Sequence, residues 1–211
     1  QGRNGKSMLV ETIKDVLGPL AASIESEMLL AQFRPRGSGG PTSDIMALHG
    51  RRLAIGSETD EGRRISPSKV KWLTGGDALV GRNPHDRFQI EFKPQHLLIL
   101  LTNHKPNAPS DDFAFWERVH LIPFVLSFVD REPQSPNERR ADKGLPARLR
   151  DELPGILAWL VEGCLQWQRV GLAPPAKVLD ATADYRADED IITDFLEECC
   201  VKDVHEKVGA T

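Results

Sequence analysis

A glycine-rich stretch at the start of the chain has the residue types that bind phosphate groups. Gly2, Asn4 and Gly5 precede Lys6 and Ser7, which fits the second half of the phosphate-loop pattern G-x-x-x-x-G-K-[ST]. In that pattern the backbone N–H groups surround the phosphates, the lysine reaches the outer phosphates and the hydroxyl binds Mg²⁺. An apolar-periodic helix follows, and a helix N-terminus favours anions. The alternative is a chance Gly-Lys-Ser in a loop, but this context favours a phosphate site.

The phosphate-loop pattern is only partly contained in the sequence. Counting back from Gly5 puts the first glycine of the pattern one position before residue 1, and the strand that should precede the loop is missing as well. We therefore expect the sequence to be a slice of a longer protein.

The composition of the chain excludes several classes of protein. Its 211 residues fit one domain with at most a small appendage, and a hydrophobic share of 40% excludes a disordered chain. The longest apolar run, Leu97–Leu101, is far shorter than the ~20 residues of a membrane span, so we expect no membrane association. Three cysteines without ligand spacing favour the cytoplasm. The net charge of −4 means that any nucleic-acid contact must be local.

Periodicity and turn residues divide the chain into short strands and helices that must position the phosphate loop. Strands separated by helices indicate an α/β layer followed by a helical part. Trp159, Trp167 and the leucine stripe of 149–165 are interpreted as helix-packing residues, with a stacking platform as the alternative. The predicted strands are at 52–57, 96–102 and 119–128, with hairpin arms at 79–82 and 88–92 and a linker at 131–143. The first predicted helix is opened by the glycine-rich loop and ends near residue 17, and the others are at 45–48, 66–73, 145–170, 176–187 and 189–201.

Acidic residues follow the first strong strand. An NTPase needs an acid at a strand end to hold the Mg²⁺ shell and orient the attacking water. The strand at 52–57 is followed by Glu58, Asp60 and Glu61. The alternative interpretation is an ordinary acidic loop after a core strand.

Two further polar residues lie beside apolar strand-like stretches. Asn103 follows the strand at 96–102, and Arg118 precedes the apolar stretch at 119–124. Both positions are typical of residues that a strand end holds rigidly. For Arg118 the alternative is a surface arginine paired with a nearby carboxylate of Asp111, Asp112 or Glu117.

In this order the residues resemble the superfamily-3 helicases. Within them the chain is most similar to the phage and plasmid primase-helicases related to the poxvirus primase-helicase. The resemblance extends from the phosphate loop to Phe195–Cys199. Its most specific parts are Leu73-Thr74-Gly75-Gly76-Asp77, Thr102-Asn103-His104-x-Pro106 and Trp116-x-Arg118.

The resemblance implies an α/β fold of the AAA+-like P-loop NTPase type, with a central, mostly parallel sheet followed by a small helical region. It implies a hexameric DNA helicase that hydrolyses ATP between subunits. Lys6 and Ser7 would be phosphate-loop ligands, with Ser7 and Glu58 at the Mg²⁺. Asn103 would be the polar sensor that helps to place the water, and Arg118 the arginine finger that enters the neighbouring subunit's site.

One position departs from the pattern of the superfamily. Many members carry two adjacent acids at the strand end, whereas Ser57 precedes Glu58 here. Either Glu58 serves both metal and water, or Asp60 or Glu61 takes one of the two roles.

The resemblance also implies a DNA-binding hairpin that points into a central channel. The candidate is the segment 79–92, with Arg82, His85 and Arg87 near its tip and Lys71 on the preceding helix. A few cations per subunit, repeated around a ring, would bind the phosphate backbone without sequence preference. The alternative is a solvated tip, with Arg82 paired to a nearby carboxylate of Asp77 or Glu91.

These interpretations together predict three parts. Residues 1–130 form the ATPase core, 131–175 a linker and helical segment, and 176–211 C-terminal helices that could lead to a further domain. The expected function is ATP-dependent unwinding or translocation on single-stranded DNA in phage or plasmid replication, in the bacterial cytoplasm or an infected host. Primase activity would need an upstream domain.

Two other functions stay open from the sequence alone. The first is a P-loop phosphotransferase that acts on a small molecule as a monomer. The second is a DNA-loading scaffold that binds ATP but hardly hydrolyses it, an alternative that Ser57 in place of an acid keeps open.

Overall fold

Helices and short strands alternate along the chain, and the protein is mixed α/β. The computed structural model describes residues 3–32, 41–57 and 62–190. The strands are β1 Ala21–Ile24, β2 Leu53–Ser57, β3 Leu79–Gly81, β4 Ile90–Phe92, β5 Leu97–Leu101, β6 Ser127–Val129 and β7 Glu138–Arg140. The helices are α1 Lys6–Leu17, α2 Ser43–Met46, α3 Pro67–Thr74, α4 Phe113–Trp116, α5 Leu145–Asp151, α6 Leu153–Val170 and α7 Ala176–Asp188.

Three parallel strands form the main sheet, in the order β1-β2-β5. The pairing aligns Leu53 of β2 with Ala21 of β1 and with Leu97 of β5. At the other end of the strands, Ser57 lies opposite Leu101. The carboxyl ends of β2 and β5 therefore meet at one edge of the sheet, where ligand sites of parallel sheets are found.

Helix α1 covers one face of this sheet. Its buried Val10 packs with Ala21, Leu53 and Ile55, as the apolar spacing of the helix predicts. The helix ends where the sequence predicts, because Gly18 takes a φ of 51° and donates its N–H to the carbonyl of Lys14. This packing places the first residue of α1, Lys6, at the carboxyl edge of the strands.

The second face of the sheet packs against a larger core. Burial on both faces explains the nearly continuous apolar sequence of β2, in which Ala54 is fully buried on this side. The buried members include Leu29, Leu48, Leu73, Leu79, Phe115, Trp116 and Tyr185. The elements that carry the hairpin and Arg118 are thus fixed to the same core as the sheet.

Strands β3 and β4 form the predicted hairpin. They pair antiparallel, with Leu79 opposite Phe92. Leu79 is fully buried, and the backbone N–H of Arg82 donates to Thr42 Oγ1 at 2.9 Å. The hairpin is therefore held at its base, while its tip projects from the core.

Several predicted elements are wrong in detail. Strand β1 is absent from the predicted set, and of the predicted strand at 119–128 only residues 127 and 128 lie in a strand, β6. The segment expected as a linker contains β7, which pairs with β6. The helix predicted at 145–170 is two helices, and Pro154, which has no N–H to donate, lies in the first turn of α6.

The packing role expected of two tryptophans on α6 is also wrong. Trp159 is 64% exposed and Trp167 is 55% exposed. Most of the helix predicted at 189–201 lies outside the described residues. Among the described helices, none is both long and apolar enough to cross a membrane.

The turn between α3 and β3 gives a test of this packing. A Cβ atom on Gly75 would lie 2.7 Å from the backbone carbonyl oxygen of Lys71, whereas one on Gly76 would meet nothing within 4 Å. We expect Gly75→Ala to lower the free energy of unfolding by ~1–3 kcal/mol and Gly76→Ala to change it by less than ~0.5 kcal/mol. Urea denaturation of the two variants measures the difference, and equal midpoints would contradict the close approach.

Candidate functional site

The loop before α1 has the backbone shape of an anion site. Arg3 and Gly5 both take left-handed conformations, with φ of 65° and 86°. Gly5 is the N-cap of α1 and its carbonyl accepts the N–H of Leu9 at 3.0 Å. Left-handed residues next to a helix start turn successive N–H groups towards one point. These conformations, beside the positive end of the α1 dipole, suit the binding of an anion.

Two residues predicted for the site meet at the carboxyl edge of the sheet. Lys6 Nζ donates to Asn103 Oδ1 at 3.0 Å. Lys6 opens α1, and Asn103 follows β5 by two positions. The structure thus brings together the phosphate-loop lysine and the predicted polar sensor, which are 97 residues apart in the sequence.

A cavity of about 620 Å³ adjoins the phosphate loop. The backbone N–H of Phe128 donates to the carbonyl of Arg3 at 2.8 Å and so fixes β6 against the loop. A volume of this size lies within the ~300–1,000 Å³ range of small-molecule sites. Apolar lining comes from Met8, Phe128, Leu145 and Leu149, and charged lining from Arg3, Lys6, Asp130, Arg140 and Asp142.

Carboxylates around this cavity are held in their charged form. Arg148 and the backbone N–H of Gly144 both donate to Asp142 and keep its pKa below the ordinary value. The carboxylate of Glu138 on β7 accepts hydrogen bonds from both Nη atoms of Arg131, at 2.9 and 2.7 Å. These hydrogen bonds are the main cause of its lowered pKa. Asp142 therefore contributes a negative charge to the lining of the cavity, and Glu138 lies on the adjoining strand β7.

Several predicted site residues lie outside the described part of the chain. These are Gly2, Glu58, Asp60 and Glu61. Ser57, directly before Glu58, ends β2 opposite Leu101 of β5. Ser7 is exposed in the first turn of α1 and lines the cavity. Asn4 donates its side-chain amide to the carbonyl of Phe124 at 3.4 Å and so holds the loop in place.

Arg118 lies away from the cavity, just after α4. Its side chain is exposed and donates to the carbonyl of Ala114. Among the described residues Arg118 forms no hydrogen-bonded ion pair, but its charge contributes to the lowered pKa of Asp112, one of the carboxylates in the alternative interpretation. Helix α4 is anchored by buried Phe115 and by Trp116, whose indole N–H donates to the carbonyl of Pro109 at 2.8 Å.

The hairpin tip exposes the predicted cations together with an aromatic ring. His85 and Arg87 are exposed, and Arg82 is half-buried with its guanidinium 3.5 Å from the carbonyl of Asp86. Phe88 is 81% exposed. Phe88 is absent from the residues predicted from the sequence, although an aromatic residue beside cations at a predicted tip is a readable signal.

Lys71, predicted beside the hairpin residues, binds a carboxylate within the chain. Its Nζ lies 2.8 Å from Asp112 Oδ2. The sequence suggests Asp112 as a partner for Arg118 alone, because nothing in the local pattern relates positions 71 and 112.

The fold and the comparisons with known proteins indicate a general class of protein. The protein is mixed α/β with a parallel sheet, compatible with a P-loop NTPase fold, and no family model matches the chain. The chain is 29% identical over 96% of its length to "Putative helicase 022R" of Frog virus 3 (isolate Goorha). It is 30% identical over 99% of its length to "Putative helicase L207/L206" of Acanthamoeba polyphaga mimivirus. The covered share of each relative is 22%, so the chain spans about a fifth of their length.

The β6–β7 wall of the cavity gives a pH-dependent prediction. The hydrogen bonds from Arg131 lower the pKa of Glu138 from 4.5. The charged carboxylate therefore stabilises the folded protein above pH 4.5, and this stabilisation is lost as the pH falls through the lowered pKa. Glu138→Gln should lower the free energy of unfolding at neutral pH and flatten its decline below pH 4.5. Denaturant titrations between pH 7 and pH 3 measure this. The control is Glu132→Gln, which removes an ion pair with Arg140 whose side chains are 80% and 70% exposed, and it should change the free energy of unfolding by less than ~1 kcal/mol.

Proposed function

We propose that this chain is the ATPase core of a DNA helicase or translocase of the superfamily-3, AAA+-like type. The observation that carries the proposal is the contact of Lys6 with Asn103 at the carboxyl edge of a parallel sheet, beside a cavity of nucleotide size. The names of the viral relatives support a helicase rather than another P-loop enzyme. The proposed context is the replication of a viral, phage or plasmid genome.

In this proposal ATP is the substrate of the cavity. The phosphates would lie against the loop N–H groups and the ammonium of Lys6. The base would pack against the apolar wall formed by Met8, Phe128 and Leu149. The left-handed Gly5 supports this placement, because its φ of 86° is a conformation that residues with a side chain rarely adopt.

The donor chemistry of the loop suits Mg²⁺. Ser7 would supply a hydroxyl and Glu58 a carboxylate, the hard oxygen ligands that this ion prefers. When bound, Mg²⁺ neutralises charge on the phosphate oxygens. Glu58 would also orient the attacking water, with Asp60 or Glu61 as the alternative acid.

Arg118 is proposed to act in the site of a neighbouring subunit. It does not line the cavity of its own chain, and its exposed side chain follows a short helix anchored in the core. A planar guanidinium held rigidly at the surface suits the stabilisation of charge on a transferring phosphoryl group. This role requires an oligomer, for which a hexameric ring is proposed.

The hairpin is the proposed contact for single-stranded DNA. Arg82, His85 and Arg87 would bind backbone phosphates, and the exposed ring of Phe88 would stack on a base. Binding of this kind is independent of sequence, as a translocating motor requires. An upstream primase domain in the full-length protein is a further proposal.

One observation favours a second candidate, an ATP-binding scaffold with little turnover. Ser57 ends β2 where many superfamily members carry the first of two acids. The ATPase rate of the full-length protein separates the candidates. A motor should be stimulated by single-stranded DNA, a scaffold should stay near background, and a small-molecule phosphotransferase should not respond to DNA.

Mixing two inactive variants tests the shared site. Lys6→Ala and Arg118→Ala should each lower ATP turnover by about a thousandfold or more, with ATP binding retained in Arg118→Ala. Mixed rings contain interfaces that join an intact Lys6 pocket to an intact Arg118, so part of the activity should return. Arg169→Ala, an exposed arginine on α6, is the control. Mixtures that exchange subunits yet stay inactive would contradict action across an interface.

Substitutions at the hairpin separate charge from stacking. Replacing Arg82, His85 and Arg87 by Ala should reduce the salt dependence of single-strand binding. The slope of log K against log[salt] should become less steep by about 0.7 for each backbone phosphate that is no longer bound. Phe88→Ala should weaken binding about tenfold with the salt slope unchanged, because stacking releases no counterions. Fluorescence anisotropy at several salt concentrations measures both. Replacing exposed Arg169 and Lys177 is the control, and a wild-type slope in the hairpin variant would favour a solvated loop.

A further inference from the structure

Lys71 links helix α3 to the segment that precedes Arg118. Its Nζ lies 2.8 Å from Asp112 Oδ2, and the two side chains are only 36% and 23% exposed. A hydrogen-bonded ion pair in this partly buried position is more directional than an exposed surface pair. It therefore fixes the last turn of α3 relative to the start of α4.

Asp112 connects this ion pair to Arg118. Its other oxygen, Oδ1, accepts the backbone N–H of Phe115 at 3.0 Å and caps α4. The carbonyl of Phe115 in turn accepts the backbone N–H of Arg118 at 3.0 Å. The bond from Lys71 lowers the pKa of Asp112, so the carboxylate stays charged in this arrangement. A displacement of Asp112 would move the helix that positions Arg118.

Lys71 is connected to the hairpin through its backbone. Gly75 packs closely on the carbonyl oxygen of Lys71, because a Cβ atom added to Gly75 would lie only 2.7 Å from that oxygen. Gly75 begins the short turn that leads from α3 into β3. The glycine in the Leu73–Asp77 motif thus lets the turn pack directly on the residue that holds Asp112.

The first turn of α3 is anchored elsewhere. Lys69 donates its ammonium to the carbonyls of Glu27 and Leu30, at 3.2 and 2.8 Å. These residues belong to the segment after β1, which carries neither the hairpin nor Arg118. Lys69 fixes α3 to the core, whereas Lys71 joins α3 to α4.

We propose that the ion pair between Lys71 and Asp112 couples the hairpin to Arg118. Lys71 and Asp112 are then positioning residues, through which the placement of the DNA-bound hairpin sets the placement of the Arg118 guanidinium. Lys71 is not itself a contact to the DNA backbone. This inference rests on the proposed function, because it needs both a DNA-bound hairpin and a finger acting on a neighbour's ATP.

The test compares variants of the two partners in the full-length protein. Lys71→Met keeps the length of the side chain without its charge, and Asp112→Asn keeps a capping oxygen for α4 without its charge. Lys71→Arg keeps the ion pair. Lys14→Met is the matched control, because Lys14 is 34% exposed and binds Glu11 and Ser23 on elements other than the hairpin and α4. The readouts are basal and DNA-stimulated kcat, KM for ATP, and the affinity and salt slope for a single-stranded oligonucleotide.

Lys71→Met and Asp112→Asn should each lower DNA-stimulated kcat by ~10–100-fold, the usual cost of misplacing a catalytic group by about 1 Å. Oligonucleotide affinity, salt slope and KM for ATP should stay within about twofold of wild type. The double variant should be no worse than either single variant, because both remove one interaction. Lys71→Arg and Lys14→Met should keep the stimulation.

Three results would overturn the inference. In the first, Lys71→Met weakens oligonucleotide binding and lowers the salt slope while Asp112→Asn does not, which would make Lys71 a DNA contact. In the second, both single variants are stimulated as wild type. In the third, Lys71→Arg keeps the wild-type melting temperature but is no longer stimulated. A wild-type protein whose ATPase ignores DNA would instead overturn the proposed function itself.

Discussion

The parallel pairing of β2 with β5 is the constraint on which the candidate site depends. It places the ends of both strands at one edge of the sheet, with Ser57 opposite Leu101. Asn103 then emerges where α1 begins, within hydrogen-bond distance of Lys6. A shift of the register by one residue would turn the apolar side chains of β5 to the opposite face and carry Asn103 away from the lysine. The core on both faces of the sheet therefore also specifies the geometry of the site.

A second constraint comes from α7, which binds the chain between Asn103 and Arg118. The hydroxyl of Tyr185 donates to the carbonyl of Pro106, and burial raises the pKa of this tyrosine, so the hydroxyl keeps its proton. The ring of Tyr185 packs edge-on against Trp116 at 5.0 Å between centroids. Further bonds join Arg186 to Ser110, Glu189 to Ala108, Asp188 to Lys105 and Thr182 to Leu121. The chain segment between Asn103 and Arg118 is thus held by an element that is distant in sequence from both.

Elements with strong local signals can be predicted from the sequence, and those defined by tertiary contacts cannot. Helix α1 has regular apolar spacing and a Gly-Pro stop, and the hairpin has two apolar arms around a polar turn. Strand β1 escapes prediction because Ala21–Ile24 is short and opens with two alanines, which carry little strand preference. The stretch 119–128 has the apolar residues of a strand, yet only its end pairs with a neighbour. The same division holds within the site. The sequence motif and the position after a strand identify Lys6 and Asn103. The positions of Phe128 and Asp112 are instead set by contacts with residues at least 41 positions away, which the sequence does not reveal.

The contact between Lys6 and Asn103 also fixes which way the asparagine amide faces. An ammonium group only donates hydrogen bonds, so it must face the carbonyl oxygen of the amide, and the NH₂ group is turned away. In the proposed site the NH₂ group of Asn103 would therefore act as a hydrogen-bond donor to a bound ligand. It would hold the oxygen of a water molecule or of a phosphate, and it has no means of removing a proton. If the proposed hydrolysis takes place, deprotonation of the attacking water would require a carboxylate such as that of Glu58. In that proposal an amide at position 103 and an acid after β2 would have complementary roles and would not be interchangeable.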